Sequence, residues 1–371
     1  MNNPELRFQT ASELDQCSVR VRELSAFVGL DGFVDEIIHV VDVRHSVNSF
    51  TAIPTLAALG LRISGVAGKS GNLELVTVRT KLGGNGPIMA NALATLGMNV
   101  TYVGGLGYPN LHPVFEDFSR KANVHSIAPP GHTDALEFMD GKLMLGKHTP
   151  LSEINWNNIL QRFGADPFKK HIASSHLVGF VNWTMIPFMS EIWESVLTDI
   201  CPTLPEKKNY IFFDLADPQK RPIEEIQRAM DLISRFQQYF NVILGLNEHE
   251  AENVGAVLGL NRSSTDADGL VGLSEKIYAH LKINSLVVHP VAYALALSQD
   301  ETSIVAGPVI QNPVITTGAG DHFNSGFCLG KLLGFTNAAC ILTGVATSGH
   351  YVKTGNSPTL SDLSQMMREW P

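Results

Sequence analysis

The stretch 316-TTGAGDHFNSGF-327 is a turn of small residues that opens directly into a helix with apolar periodicity. Gly318 and Gly320 leave the backbone open to close approach by a ligand. The free N–H groups at the start of a helix point outward at the positive end of its dipole, where they favour an anion such as phosphate. The sequence therefore predicts an anion-binding turn at a helix N-terminus late in the chain.

Asp321 lies within the first turn of this predicted helix, beside any anion bound there. A carboxylate repels an anion, but it can position an incoming hydroxyl group and accept its proton during phosphoryl transfer. The helix dipole is expected to keep Asp321 ionised at neutral pH. The alternative is an ordinary Asp that caps a helix, which is a common arrangement.

Outward from this turn, strands and helices alternate through the second half of the chain. The alternation predicts a mostly parallel sheet with crossover helices, and hence an α/β fold. The predicted strands are 176–181, 210–214, 241–246 and 285–289, with short strands at 294–297 and 303–305. The predicted helices are 187–197, 222–240, 248–258, 270–281, 320–333 and 337–352.

The first half of the chain contains several β-rich pieces that fall outside this alternation. The sequence predicts a strand at 27–31 and a helix at 51–61. It also predicts a βαβ-like unit, which consists of a strand at 73–82, a glycine turn, a helix at 88–96 and a strand at 100–104. Asp140-Gly141 indicates a two-residue hairpin. The pieces at 36–44, 73–82 and 135–145 are expected to form a small sheet beside the main one.

Composition excludes several classes of protein. The chain has 371 residues, of which 44% are hydrophobic, and its net charge of -9 argues against nucleic acid as a partner. No stretch reaches the roughly 18 apolar residues of a membrane span, and four cysteines are too sparse for a disulfide framework. Without repeats or long linkers, residues 1–371 are interpreted as one domain of a cytoplasmic protein.

Residues Thr317 to Asp321, continuing through Phe323 and Gly326, resemble the C-terminal signature of ribokinase-like (pfkB) carbohydrate kinases. The resemblance spans about residues 27–360 and implies the ribokinase-like fold, with a β lid over the substrate. It implies that Gly318, Ala319 and Gly320 form an anion hole and that Asp321 is the catalytic base. Thr317 would contact the nucleotide.

The segment Gly83-Gly84-Asn85-Gly86-Pro87 is similar to the N-terminal double-glycine signature that lines the sugar site of this family. By this resemblance Gly83, Gly84 and Asn85 would contact the substrate. The alternative is a tight turn that allows close helix packing, since such turns occur in many α/β folds.

Asp31 and Asp35 follow the first strand, where members of the family place an acidic residue that binds substrate hydroxyl groups. Carboxylates suit this role because they accept strong charge-assisted hydrogen bonds from O–H groups. Asp35 fits the family pattern better, and Asp31 is a substitute. Both could instead be Asp residues that stabilise a turn.

Asn247-Glu248-His249-Glu250 resembles the family's Asn-x-x-Glu element near the Mg-nucleotide phosphates. The resemblance implies that Asn247 and Glu250 bind the nucleotide site and that Glu250 orders Mg²⁺ through water, because Mg²⁺ keeps most of its hydration shell. The same tetrapeptide could be a capping box, with Asn247 as N-cap and Glu250 at the third helical position.

The resemblance as a whole predicts an ATP- and Mg²⁺-dependent kinase that acts on a sugar-like small molecule. The alternative is a kinase-fold binding protein without efficient transfer, suggested by Ile315 and His289-Pro290, which depart from the family pattern. Ile315 also argues against the usual monovalent cation site. The acceptor stays open, with Arg79, Lys81 and Lys147 as candidates for a second phosphate. The oligomeric state also stays open, and a homodimer that forms through the lid is one possibility.

Overall fold

The structure is a computed structural model that describes residues 4–206, 208–299 and 301–370. The strands in this part of the chain are β1 (Ser25–Leu30), β2 (Phe33–Ser46), β3 (Ser49–Ala52), β4 (Leu75–Gly83), β5 (Asn99–Gly104), β6 (Asn123–Ser126), β7 (Gly131–Phe138), β8 (Gly141–Lys147), β9 (Leu177–Phe180), β10 (Tyr210–Asp214), β11 (Asn241–Leu246), β12 (Ser285–Val288), β13 (Tyr293–Ser298) and β14 (Glu301–Ala306).

The α-helices of the same residues are α1 (Pro4–Gln16), α2 (Ser18–Glu23), α3 (Leu56–Ser64), α4 (Asn85–Thr95), α5 (Glu116–Ser119), α6 (Trp156–Arg162), α7 (Ala165–Ser174), α8 (Met189–Ser195), α9 (Ile223–Phe236), α10 (Glu248–Val257), α11 (Ala267–Leu281), α12 (Ala319–Leu333), α13 (Asn337–Thr354) and α14 (Leu360–Glu369). None of these helices has the length and apolar character that crossing a bilayer requires.

The main sheet has nine strands in the order β14-β13-β12-β11-β10-β9-β1-β5-β6. All neighbouring pairs from β12 to β6 are parallel, and the pairs β12–β13 and β13–β14 are antiparallel. Because parallel strands end at the same edge of a sheet, the residues that follow β1, β9, β10 and β11 are gathered there. The predicted parallel sheet is confirmed.

Helices cover both faces of the main sheet, and each face has its own apolar core. One core contains side chains from α6 to α11, and the other contains side chains from α1, α4, α12, α13 and α14. Strands with both faces covered read as continuous apolar runs, which is why β10 and β11 could be predicted to the residue from the sequence. Helix α12, which carries Asp321, packs in the second core between α13 and α4.

Glycines set the close packing of α12 on α13. A Cβ at Gly326 would lie 2.4 Å from the Thr343 carbonyl oxygen, and one at Gly330 would lie 2.8 Å from Thr343 Oγ1. Glycine at these two positions therefore allows the close approach of the two helices. Gly334 differs, because it ends α12 with a φ of 76°, a left-handed conformation that glycine adopts without strain.

A second, smaller sheet contains β2, β3, β4, β7 and β8. Strand β2 pairs in parallel with β7 and antiparallel with β4 and β3. Strands β7 and β8 form a hairpin with Met139 and Asp140 in the turn, one residue earlier than the predicted Asp140-Gly141. Helix α3 covers one face through a small apolar cluster that includes Ile38, Leu59 and Leu136. The small sheet expected from the sequence is therefore present.

Two local predictions were wrong. The segment 51–61 is not one helix, because Thr51 and Ala52 belong to β3 and α3 begins after the N-cap Thr55. The βαβ-like unit is also not formed, since β4 lies in the small sheet and β5 in the main sheet. The chain changes direction at Gly84, whose φ of 94° is accessible mainly to glycine.

Candidate active site

The Asp321 carboxyl group lies in the first turn of α12 and is 7% exposed. Gly318 precedes the helix with a φ of 94°, which is why a glycine is required at this position. Asn85 Nδ2, at the start of α4, donates a hydrogen bond of 3.0 Å to Asp321 Oδ1. The two segments singled out in the sequence, 316–321 and 83–87, are thus in direct contact.

The turn before α12 presents unpaired N–H groups. The Ala319 N–H is used within the turn, where it donates to the Thr316 carbonyl at 3.1 Å. In the described part of the chain, the N–H groups of Gly318, Gly320 and Asp321 have no hydrogen-bond acceptor. Of the three residues predicted to form an anion hole, Gly318 and Gly320 therefore have available N–H groups, as does Asp321, whereas the N–H of Ala319 is used within the turn.

Two carbonyl groups of the same turn accept hydrogen bonds from side chains of α12 and α13. Tyr351 OH donates to the Thr317 carbonyl at 3.0 Å, and His322 Nδ1 lies 2.7 Å from the Gly318 carbonyl. Burial lowers the pKa of His322 to about 4, so the ring is neutral and its Nδ1–H donates to this carbonyl. The His322 and Tyr351 rings stack at 3.7 Å. This packing fixes the conformation of the turn.

The turn forms a wall between two cavities. A cavity of about 710 Å³ lies on the side of the small sheet and reaches Ile315 and Thr317. A second cavity of about 500 Å³ lies on the other side and reaches Thr316, Ala319 and Gly320. The first has a mostly polar lining and the second a mostly apolar one, so the two suit chemically different ligands.

The larger cavity contains Asp35 on β2. Asp35 is 4% exposed, and its Oδ2 lies 3.9 Å from Lys81 Nζ on β4. Burial raises the pKa of Asp35, and the neighbouring ammonium of Lys81 opposes this shift. A Cβ at Gly83 would lie 2.4 Å from the Asp35 carboxyl group, so the glycine makes room for it. Arg79 and Lys142 line the same cavity.

Asp31 has a different environment from Asp35. It is fully buried, and its carboxylate accepts hydrogen bonds from the N–H groups of Asn85 and Gly86 and from Asn182 Nδ2, at 3.0, 2.9 and 2.6 Å. Desolvation raises its pKa to about 6, and these hydrogen bonds oppose the shift. The predicted contact between Asp31 and a substrate has no support in this geometry, because both oxygens already stabilise the start of α4.

Asn247 and Glu250 form a capping box at the start of α10. Asn247 Oδ1 accepts from the Glu250 N–H at 2.9 Å, and Glu250 Oε2 accepts from the Asn247 N–H at 2.8 Å. Glu250 Oε1 accepts from the Asp217 N–H, and the residue is 6% exposed. The capping box, which was the alternative to ligand binding for Asn247 and Glu250, is thus present. Asn247 nevertheless lines the smaller cavity, next to Gly320.

Three polar residues of this region were missed by sequence reasoning. Asn182 and Asp214 follow or end β9 and β10, and Asn324 lies on α12, where its Nδ2 donates to Asp214 Oδ2 at 2.9 Å. Each is buried, and each has one side-chain oxygen without a hydrogen-bond partner among the described residues. Buried oxygens without donors are the ligands that Mg²⁺ or its bound water prefers, so this donor set suits a hydrated divalent cation.

The carboxyl groups at this edge of the sheet repel one another. Burial, followed by the charges of Asp214 and Asp31, raises the pKa of Asp321 well above its usual range. Burial and Glu250 do the same to the pKa of Asp214. Desolvation and like charges thus act against the helix dipole, which was expected to keep Asp321 ionised. A cation in this region would counteract both effects.

The smaller cavity is lined by the segment that departs from the family pattern. His289, Pro290 and Val291 form one side, and Phe323 and residues of α13 form the other. Burial lowers the pKa of His289 to about 4, and its neutral ring packs against Phe323 with 4.7 Å between centroids. Apolar and neutral aromatic walls of this kind suit a planar base.

Comparison with known proteins identifies the family of the chain. Residues 8–370 match the family described as prokaryotic ketohexokinase. A ketohexokinase of Haloferax volcanii is 29% identical over 337 residues, which cover 90% of this chain and 88% of that protein.

Solved structures share the fold at low sequence identity. A ribokinase of Arabidopsis thaliana in complex with ribose and ATP matches with a TM-score of 0.60 and 16% identity, over 93% of this chain and 98% of that one. A probable sugar kinase of Rhizobium etli matches with a TM-score of 0.63 and 19% identity, over 92% and 96%. The chain therefore belongs to the prokaryotic ketohexokinase family of ribokinase-like (pfkB) carbohydrate kinases, which are phosphotransferases with an alcohol group as acceptor and use ATP with Mg²⁺.

Proposed function

We propose that this enzyme phosphorylates a ketohexose on a primary hydroxyl group. The name of the Haloferax volcanii relative supports a ketohexose as the acceptor. The observation that carries the proposal is the position of the turn 316–320 between a polar and an apolar cavity. A sugar bound in the first and a nucleotide bound in the second would meet at the N–H groups of this turn.

In the proposed reaction the sugar hydroxyl oxygen attacks the γ-phosphorus of ATP. The bond from this phosphorus to the β,γ-bridging oxygen breaks, ADP leaves, and the hydroxyl proton passes to Asp321. The N–H groups of Gly318, Gly320 and Asp321 donate hydrogen bonds to the oxygens of the moving phosphoryl group. The raised pKa of Asp321 suits this role, since it makes the carboxylate a better proton acceptor than an exposed one.

The other acidic residues divide into direct and indirect roles. Asp35 faces the larger cavity, and we propose that it accepts hydrogen bonds from sugar hydroxyl groups. Asn85 holds the base through its hydrogen bond to Asp321 Oδ1. Asp31 anchors the first turn of α4 and so positions Asn85. Gly83 and Gly84 allow the backbone to bring these groups together.

Asp214 and Asn324 would hold the hydrated Mg²⁺ together with Glu250, whose part would be through water. The unpartnered oxygens of the first two residues support this assignment. Asn247, on the wall of the smaller cavity, would contact the nucleotide. When bound, Mg²⁺ would neutralise phosphate charge, and these side chains would hold it at the edge of the main sheet.

The decisive experiment compares wild type with Asp321→Asn in a coupled assay of ADP release. Ketohexoses, aldoses and nucleosides would serve as acceptors, with and without Mg²⁺. We expect ketohexose-dependent ADP release by wild type and a loss of about 10² to 10⁴ in kcat for the variant, with sugar binding retained. Wild-type turnover of other sugars but of no ketohexose would refute the proposed acceptor. Unchanged kcat in Asp321→Asn would refute the assigned base.

The same proposal includes a cytoplasmic enzyme that dimerises through the small sheet. All four cysteines are free, which fits a reducing compartment. Leu143 and Leu145 are exposed on the sheet face turned away from the cavity, and Met139 is exposed at the hairpin tip. Sedimentation velocity of wild type and of Leu143→Glu would test the dimer, since a charge in that interface should yield monomers.

A further inference from the structure

Lys142 connects the small sheet to the turn before α12. It lies near the start of β8, just after the Asp140-Gly141 hairpin, and its Nζ donates to Thr317 Oγ1 at 3.2 Å. These residues are 175 positions apart in the chain. The contact brings a positive charge from the small sheet to the residue that directly precedes Gly318.

The alternation of side chains along β8 separates Lys142 from the other lysine at its far end. Lys142 and Met144 line the larger cavity. Lys147 lies on the opposite face, where its Nζ pairs with Asp134 Oδ2 at 2.8 Å. Lys147, considered for phosphate binding on the sequence alone, therefore points away from the cavity, and Lys142 points toward it.

Within the described residues Lys142 forms no ion pair closer than 4.0 Å, and its single hydrogen bond goes to a neutral hydroxyl group. An ammonium group has three donors, so two remain available. Ordering a lysine side chain costs up to about 2 kcal/mol of conformational entropy. A hydroxyl acceptor does not neutralise the charge, so the arrangement is better matched to an anion at the turn.

We propose that the ammonium group of Lys142 contacts the phosphoryl group during its transfer and completes the anion hole from the side of the small sheet. This inference rests on the proposed role of the turn. In this proposal the N–H groups of Gly318, Gly320 and Asp321 contact the phosphoryl oxygens from the start of α12, and Lys142 contacts them from the small sheet. The charge on the phosphoryl oxygens is stabilised by such a cation without any further covalent step.

An anionic group on the acceptor itself would be a different partner for this cavity. Arg79 and Lys81 also line it, and the charges of Arg79 and Lys142 both act on Lys81. Lys81, however, is paired with Asp35, whereas Lys142 is bonded to the turn. The position of Lys142 therefore favours the transferred group over a substituent elsewhere on the sugar.

The test uses Lys142→Met, Lys142→Arg and, as the matched control on the same strand, Lys147→Met. Each is assayed with any sugar that wild type turns over, so that an incorrect choice of ketohexose does not affect the result. We expect Lys142→Met to lower kcat about 10²-fold, with KM for sugar and for ATP unchanged. Lys142→Arg keeps the charge and should retain most of the activity, and Lys147→Met should match wild type.

Thermal unfolding of each variant checks that the fold is intact, which is expected because Lys142 is exposed. The inference is overturned if Lys142→Met keeps the wild-type kcat, or if only the KM for the sugar rises, since the lysine would then bind the acceptor. It is also overturned if Lys142→Arg loses as much activity as Lys142→Met. Loss of activity in Asp321→Asn with no effect in Lys142→Met would refute this inference alone.

Discussion

Replacing Asp31 by asparagine tests how the buried carboxylate at the end of β1 affects the stability of the fold. Its two oxygens accept hydrogen bonds from the N–H groups of Asn85 and Gly86 and from Asn182 Nδ2. An asparagine side chain has one oxygen, so one backbone N–H loses its acceptor. Leaving such a buried donor unpaired costs about 1–3 kcal/mol at any pH.

The substitution also removes a charge that opposes folding. The pKa of Asp31 is raised from 3.8 to about 6, so the folded protein binds this proton more tightly than the unfolded chain does. Stability from this group is therefore present at low pH and is lost as the pH rises through about 6. A shift of about two units corresponds to about 3 kcal/mol at neutral pH. The variant does not lose this stability on raising the pH.

The free energy of unfolding of Asp31→Asn, relative to wild type, should thus rise by about 2 kcal/mol between about pH 4.5 and about pH 7.5. Urea titrations at several pH values, followed by tryptophan fluorescence and far-UV circular dichroism, would measure it. Asp231→Asn, at an exposed position of α9, makes the same change in charge and serves as the control. A difference that is flat, or that falls as the pH rises, would refute the reasoning.

Three further predictions concern the site. Gly83→Ala should raise the KM for the sugar about tenfold, equivalent to about 1.4 kcal/mol, and leave the KM for ATP unchanged. The reason is that the new Cβ would lie 2.4 Å from the Asp35 carboxyl group and would displace it. Steady-state kinetics with both substrates would refute this prediction if the KM for ATP rose instead. Asp321→Asn should melt at a higher temperature than wild type at alkaline pH and lose this advantage toward acid pH, because ionisation of the buried Asp321 opposes folding above its unfolded pKa of 3.8. Calorimetry at several pH values would contradict this prediction if the difference in melting temperature between the two proteins were constant. Finally, kcat/KM should fall with decreasing pH at a midpoint above 3.8, because the base must be ionised and its pKa is raised; a pH–rate profile with no such limb would exclude Asp321 as the base.

The sequence was most informative where local chemistry decides the structure. The turn before α12 was predicted from Gly318 and Gly320, and Gly318 adopts a φ of 94° that glycine reaches without strain. A hairpin was predicted from Asp140-Gly141, and β7 and β8 form it with Met139 and Asp140 in the turn. Strands β10 and β11 were predicted because apolar runs bounded by polar residues are typical of strands buried on both faces.

The parts that depend on topology could not be predicted. Asn182 and Asp214 are single polar residues at strand ends, and the sequence does not distinguish them from ordinary caps. Only the packing of α12 on the sheet brings Asp214 together with Asn324, and only the position of β9 beside β1 brings Asn182 to Asp31. Lys142 was missed for a related reason, since nothing local indicates that it reaches Thr317 from the other sheet. The substrate roles assigned to Asp35 and Asn85 remain predictions.

Short connections join the small sheet to the main sheet and to α4. Only Asp31 and Gly32 separate β1 from β2, and only Gly84 separates β4 from α4, so both links lie at the same end of the small sheet. His132 at that end pairs with Lys147, and Lys142 lies five residues earlier in β8, about 17 Å from this end of the small sheet. A rotation of roughly 10° at this end would shift Lys142 by about 3 Å, given this strand length. Such a displacement exceeds the tolerance of a hydrogen bond, so the contact between Lys142 and Thr317 depends on the angle between the two sheets.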